Sequence, residues 1–264
     1  MKAKVNGVEL NYLIEGEGPW LTMSHSLACD SSMWDEEAKR LSQRFRVLRV
    51  DTRGHGGSEA TAGAYTLDQL AADFHALFAH LGIKQSHWVG LSMGGMIGQV
   101  FALNYPGVLQ SLVLADTTSR YPAAAASVWS DRIRSVREKG MSAIVDSTLT
   151  RWFTEPFRQE HPQVVERIAQ TIRNTPVNGY VGCSEAIPKI DVTARLRQIA
   201  CPALVIVGSQ DPGTPPEMAA EIRDNLPGAQ LIVIDSAAHL ANLERPAAFY
   251  WAMEQFYDRI RATA

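Results

Sequence analysis

Short apolar runs alternate with amphipathic segments along most of this chain. The apolar runs predict strands at 20–24, 45–50, 86–91, 109–115, 201–208 and 230–234. Residues 8–14 alternate between apolar and polar side chains, which predicts an edge strand. Apolar residues three or four positions apart predict helices at 33–41, 66–81, 93–105, 215–226 and 246–261. Because most of the strands are apolar throughout, we predict an α/β fold with a mostly parallel twisted sheet and helices on both faces.

Residues 119–194 interrupt this alternation, because they contain no convincing strand. Their periodicity predicts helices at 124–139, 141–153, 163–174 and 179–187. A helical insertion between two strands of one sheet is typical of a cap over a binding site. We therefore predict a core domain formed by residues 1–118 and 195–264, with a helical cap, or lid, formed by residues 119–194.

The composition narrows the class of protein. The chain has 264 residues, of which 46% are hydrophobic and 20% charged, as in a globular protein with a sizeable core. A net charge of −3, mixed along the chain, argues against a nucleic-acid binder. The sequence has no long apolar run and no secretory signal, and its three cysteines are widely spaced. We therefore expect a cytoplasmic protein without a nucleic-acid or membrane partner; its oligomeric state is not determined.

One serine stands between two glycines where a predicted strand becomes a predicted helix, in Gly90-Leu91-Ser92-Met93-Gly94. A G-x-S-x-G match is weak alone, but this setting is where the nucleophile elbow of a hydrolase belongs. The sharp turn strains the serine backbone, and the glycines let other chain segments approach closely. We therefore predict that the turn lifts the Ser92 hydroxyl above the sheet as a nucleophile.

A serine hydroxyl needs a base before it can attack. In folds with this elbow, the acid and the histidine follow later in the order Ser, Asp or Glu, His, each after a strand. Asp211 follows the predicted strand at 201–208, and His239 follows the one at 230–234. We therefore predict a Ser92–Asp211–His239 catalytic triad.

Other interpretations of these residues stay open. Asp116 also follows a predicted strand and is the rival acid, while Asp211 alone is also typical of a turn. A phosphate cradle is the competing interpretation of the Ser92 motif, but the motif lacks the Gly-Lys-Ser/Thr ending of a nucleotide-binding loop. The other histidines lack metal-ligand spacing, so we predict no metal and no other cofactor.

Two backbone amides are candidates for an oxyanion hole. The N–H of Met93 lies at a predicted helix N-terminus, where the helix dipole favours negative charge. The second donor belongs in the loop after the strand at 20–24, where Leu27 is the candidate. Each such donor is worth about 3 kcal/mol to a developing oxyanion.

Several motifs together resemble the α/β-hydrolase fold superfamily. They are His25-Ser26-Leu27, Asp51-x-Arg53-Gly54-His55-Gly56-x-Ser58, the Ser92 motif with Gly95, Gly208-x-x-Asp211 and His239. Within the superfamily the chain is most similar to the 3-oxoadipate enol-lactonase family. That similarity is carried by HSLACDSSMWDEEAKRLSQRFRVLRVDTRGHGGSE, YTLDQLAADFHALFAHLGI, GLSMGGMIGQVFAL and LVLADTTS. Most superfamily members carry glycine at the position of Ser26, and the serine found here is similar to the enol-lactonases. Ala238 stands before His239, where glycine is commoner in the superfamily.

The resemblance implies a serine hydrolase of aromatic catabolism that opens a small lactone, 3-oxoadipate enol-lactone, through an acyl-enzyme on Ser92. It also implies a substrate carboxylate, for which Arg132 is the candidate ligand, with Trp129 lining the pocket one helical turn away. The alternative for Arg132 is a solvated helix face shared with Arg134 and Arg137. The alternative for Trp129 is ordinary packing between cap and core.

Two other functions stay open as well. One is a carboxylesterase or perhydrolase, or a C–C bond hydrolase, acting on another small substrate. The other is a non-catalytic ligand receptor on the same fold, because a fold does not determine its function.

Overall fold

The computed structural model describes residues 1–262. The strands of its sheet are β1 (Lys2–Val5), β2 (Val8–Glu15), β3 (Trp20–Ser24), β4 (Arg46–Val50), β5 (Ser86–Leu91), β6 (Leu109–Ala115), β7 (Ala203–Gly208) and β8 (Gln230–Ile234). They form one sheet in the order β1-β2-β4-β3-β5-β6-β7-β8. Strands β3 to β8 pair parallel with one another, and β2 pairs antiparallel with both β1 and β4. The predicted fold class is therefore confirmed.

The first edge of the sheet differs from the sequence-based expectation. The strand predicted at 8–14 is β2, which is an interior strand because β1 covers it. Asn6 and Gly7 join the two strands with φ angles of 45° and 74°. A two-residue Asn-Gly turn with both φ angles positive matches the twist of a hairpin, and it produces the strand missing from the prediction.

The helices follow the predicted order. They are α1 (Asp35–Leu41), α2 (Leu67–Leu81), α3 (Met93–Asn104), α4 (Ala125–Lys139), α5 (Val145–Trp152), α6 (Glu155–Glu160), α7 (Pro162–Asn174), α8 (Val177–Ala186), α9 (Pro216–Asn225), α10 (Ala241–Glu244) and α11 (Pro246–Ala262). The helices predicted at 33–41 and 141–153 each begin with a 3₁₀ turn, and α6 and α10 are absent from the prediction. Within residues 1–262, each helix is too short or too polar to cross a bilayer.

The parallel strands are buried on both faces of the sheet. All six residues of β7 are buried, and successive strand residues point to opposite faces, so both faces of β7 are covered. Trp88 of β5 packs against Phe74 of α2 and Phe101 of α3, with ring centroids 4.8 and 5.4 Å apart. This packing explains why these strands appear in the sequence as continuous apolar runs.

Residues 116–202, called the helical segment below, connect β6 to β7 and contain α4 to α8. Gly179 of α8 packs directly on Gly54, where a Cβ on either glycine would overlap the other backbone. The N–H of Leu240, in the loop after β8, donates to the carbonyl of Trp152 at 3.1 Å. The helical segment therefore packs closely on the strand-end loops, while its division from a core at residues 119 and 194 stays a prediction.

Candidate active site

A cavity of about 210 Å³ lies where the helical segment meets the carboxyl ends of the parallel strands. Leu27 follows β3, Ser92 follows β5, Gly213 follows β7 and His239 follows β8, and all four line it. The carboxyl ends of parallel strands are where ligands bind in α/β sheets. The fold therefore gathers residues that lie far apart in the sequence around one small space.

Ser92 is held in a strained backbone conformation between β5 and α3. Its φ of 55° and ψ of −114° lie outside the regions that side-chain-bearing residues prefer. Its N–H donates to the carbonyl of Ala115 at 2.8 Å, and its carbonyl accepts from the Thr117 hydroxyl at 2.7 Å. Such strain costs about 1–3 kcal/mol and persists only where the surroundings fix it, as these bonds do.

The two glycines of the motif make the turn possible. A Cβ on Gly90 would overlap the carbonyl oxygen of Gly94. A Cβ on Gly94 would overlap the carbonyl oxygen of Ser24, at the end of β3. The glycines are therefore required by close backbone contacts on either side of Ser92.

His239 and Asp211 are in direct contact. The Nδ1 atom of His239 lies 2.7 Å from Oδ2 of Asp211, which also accepts the Thr214 hydroxyl at 2.7 Å. The other oxygen, Oδ1, accepts the N–H groups of Gly213 and Thr214 at 2.8 and 3.2 Å. Because a carboxylate only accepts, Nδ1 carries the proton in this contact, and Nε2 of the neutral ring keeps its lone pair.

The pKa values of two buried acids near the cavity shift in opposite directions. Burial raises the pKa of Asp211, but the positive charge of His239 in its protonated form and hydrogen bonds from His239, Thr214 and Gly213 outweigh it and hold that pKa below its ordinary value. Burial, and then the charge of Asp211, raise the pKa of Asp116 well above its ordinary value. The surroundings therefore favour the negative charge on Asp211 beside His239 and disfavour it on Asp116.

The loop after β3 has its peptide groups oriented by a histidine. The N–H of Thr52 donates to Nε2 of His25 at 2.9 Å, so the ring proton is on Nδ1, which donates to the Ser26 carbonyl at 2.7 Å. Because C=O and N–H point in opposite directions in a trans peptide, the N–H of Leu27 points away from His25. That N–H finds no acceptor within residues 1–262. Met93 is the first residue of α3, where an N–H has no partner inside the helix.

Two guanidinium groups from the helical segment line the cavity. The Arg132 guanidinium lies 5.0 Å from the centre of the Trp129 ring, and Arg151 donates to the Thr148 hydroxyl at 3.3 Å. Neither forms an ion pair within residues 1–262. Burial, and then the neighbouring charge of Arg132, lower the pKa of Arg151 to about 10. The wall therefore carries two neighbouring positive charges, and neither is paired with a carboxylate of residues 1–262.

The neighbouring arginines of α4 behave differently. Arg134 is exposed and pairs with Asp131 at 2.6 Å, and Arg137 is exposed and lies 3.9 Å from Glu185. The solvated helix face considered from the sequence therefore describes these two side chains. Arg132, by contrast, is half-buried in the cavity wall.

Aromatic side chains complete the wall. The Trp129 ring meets that of Tyr121 edge-on, with centroids 6.2 Å apart. The Trp152 ring stacks on the His239 imidazole with centroids 6.2 Å apart and planes 29° apart. Both tryptophans are buried, so they pack against the core and line the cavity at once. Tyr180 is a further buried lining residue.

Four of these lining residues are missing from the sequence-based site: Tyr121, Arg151, Trp152 and Tyr180. None belongs to a motif, and each faces the cavity only because of the way the helical segment folds. Arg151 had one usable signal, its place beside Trp152 at the end of a predicted helix.

The motif from Asp51 to Ser58 supports the site from outside the cavity. The Asp51 carboxylate accepts the N–H groups of Ser31 and Gly57 at 2.7 and 2.8 Å. Arg53 forms a buried, two-bonded ion pair with Asp73, with both distances at 2.7 Å. These contacts brace the loop.

Within residues 1–262, no three His, Cys, Asp or Glu side chains are grouped to hold a metal ion.

Comparison with known proteins places this geometry in a family. The profile of the alpha/beta hydrolase fold matches residues 19–246. The chain is 36% identical to 3-oxoadipate enol-lactonase 2 of Acinetobacter baylyi over 254 residues, which is 96% of this chain and 94% of that protein. It is 37% identical to the enol-lactonase of Burkholderia xenovorans, whose crystal structure matches with a TM-score of 0.94 over 98% of this chain and 100% of that one.

A second solved structure widens the range of similar enzymes. A thermophilic esterase from Thermogutta terrifontis matches with a TM-score of 0.94 at 30% identity, over 98% of this chain and 99% of that one. The matches confirm the predicted resemblance to the superfamily and to the enol-lactonases. They also confirm the prediction of an enzyme. The chain belongs to the alpha/beta hydrolase fold family, and it is a hydrolase.

Proposed function

We propose that this hydrolase acts on ester and lactone bonds, and that its substrate is a small lactone bearing a carboxylate, 3-oxoadipate enol-lactone. The observation that carries the proposal is the cavity itself. It joins Ser92 and the Asp211-bound His239 to two arginines that have no protein carboxylate. Two similar proteins at 36% and 37% identity are enol-lactonases, which supports the same substrate.

The first step is acylation of Ser92. As the Ser92 oxygen attacks the lactone carbonyl, Nε2 of His239 takes the hydroxyl proton. The negative charge of Asp211 stabilises the imidazolium that forms and keeps the proton on Nδ1. When the tetrahedral intermediate collapses, the ring C–O bond breaks and the leaving enol oxygen takes the proton back from His239.

The oxyanion of the tetrahedral intermediate is stabilised by backbone amides. The N–H groups of Leu27 and Met93 are the proposed donors, since the first has no acceptor and the second begins α3. Preorganised donors act without reorganising during the reaction, and each is worth about 3 kcal/mol.

The second step releases the product. After ring opening, the enol stays attached through its acyl group to Ser92 and converts to the ketone. His239 then takes a proton from water, which attacks the acyl carbon, and the Ser92 oxygen leaves with that proton. The products are the free keto acid and the original enzyme.

The helical segment supplies substrate selectivity in this proposal. Residues 119–194 act as a cap, and Arg132 and Arg151 bind the carboxylate of the substrate. Trp129 holds the Arg132 guanidinium by a cation–π contact at 5.0 Å. The charge of the pair favours an anionic substrate over a neutral one of equal size.

A simple carboxylesterase is the second candidate. It is favoured by the similarity to the Thermogutta terrifontis esterase at a TM-score of 0.94. An esterase would use the same serine chemistry without needing the arginine pair.

Action in the cytoplasm on a small molecule, without nucleic acid, remains a prediction from composition.

The proposal is tested by comparing two substrates on the purified protein. We expect kcat/KM for the enol-lactone to exceed that for p-nitrophenyl acetate by at least about 100-fold, and Ser92→Ala to abolish both. Equal values for lactone and ester would support the esterase and contradict the lactonase. Binding of the lactone without turnover by the wild type would instead indicate a receptor.

A further inference from the structure

Glu244, at the end of α10, is an acid that is only 4% exposed and does not line the cavity. Its Oε1 accepts the N–H of Thr154 at 2.6 Å and the Thr154 hydroxyl at 2.9 Å. Its Oε2 accepts the N–H of Ala238. Three donors from two distant parts of the chain therefore converge on one buried carboxyl group.

The two groups that Glu244 joins lie directly beside the reacting histidine. Ala238 is the residue before His239, and Thr154 lies two residues after Trp152. The Trp152 ring stacks on the His239 imidazole, and the Trp152 carbonyl accepts the N–H of Leu240. The backbone on both sides of His239 is thus bonded either to Glu244 or to the end of α5.

The contacts of Glu244 hold the loop after β8 in one orientation. A buried carboxyl group is costly unless hydrogen bonds compensate for the lost water, and the Glu244 carboxyl group accepts three hydrogen bonds. Hydrogen bonds to a carboxylate are short and directional, so they restrict the orientation of the peptide group that carries the Ala238 N–H. An apolar residue would fill the space without setting that orientation.

We infer that Glu244 is a positioning residue for His239. It ties the loop that carries the imidazole to the helical segment, so that Nδ1 stays against Asp211 while Trp152 covers the ring. The inference rests on the proposed function, because positioning matters only if His239 acts as the base. It also gives the helical segment a second task besides selectivity.

The variant Glu244→Gln tests the inference with little change of shape. A glutamine offers one oxygen and one NH2 group, so either Ala238 or Thr154 faces a donor in place of an acceptor. We expect kcat per active site to fall about 10- to 100-fold with KM unchanged within about twofold, since small misplacements of a catalytic group have losses of this size. We also expect the acid limb of the kcat/KM profile to move.

Glu155→Gln is the matched control, because Glu155 is exposed and lies next to Thr154. We expect it to keep the wild-type kcat and pH profile. If Glu244→Gln does not fold, Thr154→Val decides the question, since it removes only the hydroxyl donor; a severalfold loss of kcat is expected.

The outcomes separate this inference from the proposed function. Wild-type kcat and an unmoved pH profile in a folded Glu244→Gln, or in Thr154→Val where the first variant fails to fold, would overturn the inference while leaving the serine hydrolase intact. A wild-type protein that does not react with a fluorophosphonate would overturn the proposed function. In that case the Nδ1 proton signal of His239 in NMR spectra still tests the inference: it should shift in Glu244→Gln, and an unchanged signal would overturn it.

Discussion

The Asp211 carboxylate holds the Nδ1 side of His239 at 2.7 Å while it accepts three further hydrogen bonds from Gly213 and Thr214. Burial alone raises the pKa of Asp211, but the positive charge of protonated His239 and these bonds hold it below its ordinary value. A fixed negative charge at this place keeps the ring proton on Nδ1 and leaves Nε2 free. The orientation of the imidazole is therefore determined before any substrate arrives.

Asp211→Asn should lower kcat about 10³- to 10⁴-fold, because an amide neither stabilises the imidazolium nor fixes the ring proton on Nδ1. Asp116→Asn is the control, since burial disfavours a charge on Asp116 and its Oδ1 accepts the N–H of Gly208 at 2.8 Å, which an amide oxygen can also do. We expect that control to keep kcat within about threefold of the wild type. Steady-state kinetics with p-nitrophenyl acetate measures both variants. The reverse pattern, with the larger loss in Asp116→Asn, would make Asp116 the acid.

Arg132→Ala and Arg151→Ala should each reduce kcat/KM for the anionic lactone about 10- to 100-fold, the usual worth of a hydrogen bond to a charged group. For neutral p-nitrophenyl acetate, kcat/KM should fall less than about threefold in either variant, because this substrate has no carboxylate to bind. Arg134→Ala is the control, since Arg134 lies on the exposed side of α4. Parallel kinetics on both substrates provides the measurement, and equal losses on the two would remove the arginines from carboxylate binding.

Glu37→Gln should change the dependence of stability on pH. Glu37 is buried in α1, and burial raises its pKa from 4.5 to about 8. Between these values the folded protein keeps a proton that the unfolded chain has released. The contribution of Glu37 to the free energy of unfolding is therefore fully present below the pKa of the unfolded chain. It is lost as the pH rises toward the folded pKa, at about 1.4 kcal/mol per pH unit. A glutamine does not titrate, so the variant should lose less stability between pH 5 and pH 8.

Urea unfolding of Glu37→Gln and the wild type at both pH values measures this difference. The exposed neighbour Glu36 supplies the control, and Glu36→Gln should keep most of the wild-type decline. If the wild type and Glu37→Gln lose the same free energy of unfolding between pH 5 and pH 8, Glu37 is ionised in the folded protein.

The sheet and the site residues that follow its strands are predictable because they depend on local patterns. The apolar run that forms β5, the glycines around Ser92 and the strand before His239 are all visible in the sequence. The carboxyl ends of parallel strands lie along the same edge of the sheet. The strand pattern alone therefore predicts that the residues after these strands lie close together. The Asn6-Gly7 turn was equally visible, and it indicates β1 once its preference for a hairpin is applied.

The residues of the helical segment, and Glu244 that contacts it, were harder to predict for a physical reason. Amphipathic periodicity shows which face of a helix is buried, but not what covers that face. Arg151 comes near Arg132 only when the helical segment folds, and Glu244 acquires its donors only when the end of α5 and the loop after β8 meet. A buried acid such as Glu244 also looks like any surface acid in the sequence, because its donors are backbone groups of distant residues.

The most direct measurement is the covalent labelling of Ser92 by a fluorophosphonate, followed by intact mass and peptide mapping. We expect one adduct per chain, located on Ser92, absent from Ser92→Ala and formed much more slowly in His239→Ala. A wild-type protein without an adduct, or Ser92→Ala labelled as fast as the wild type, would contradict the role of Ser92 as the nucleophile.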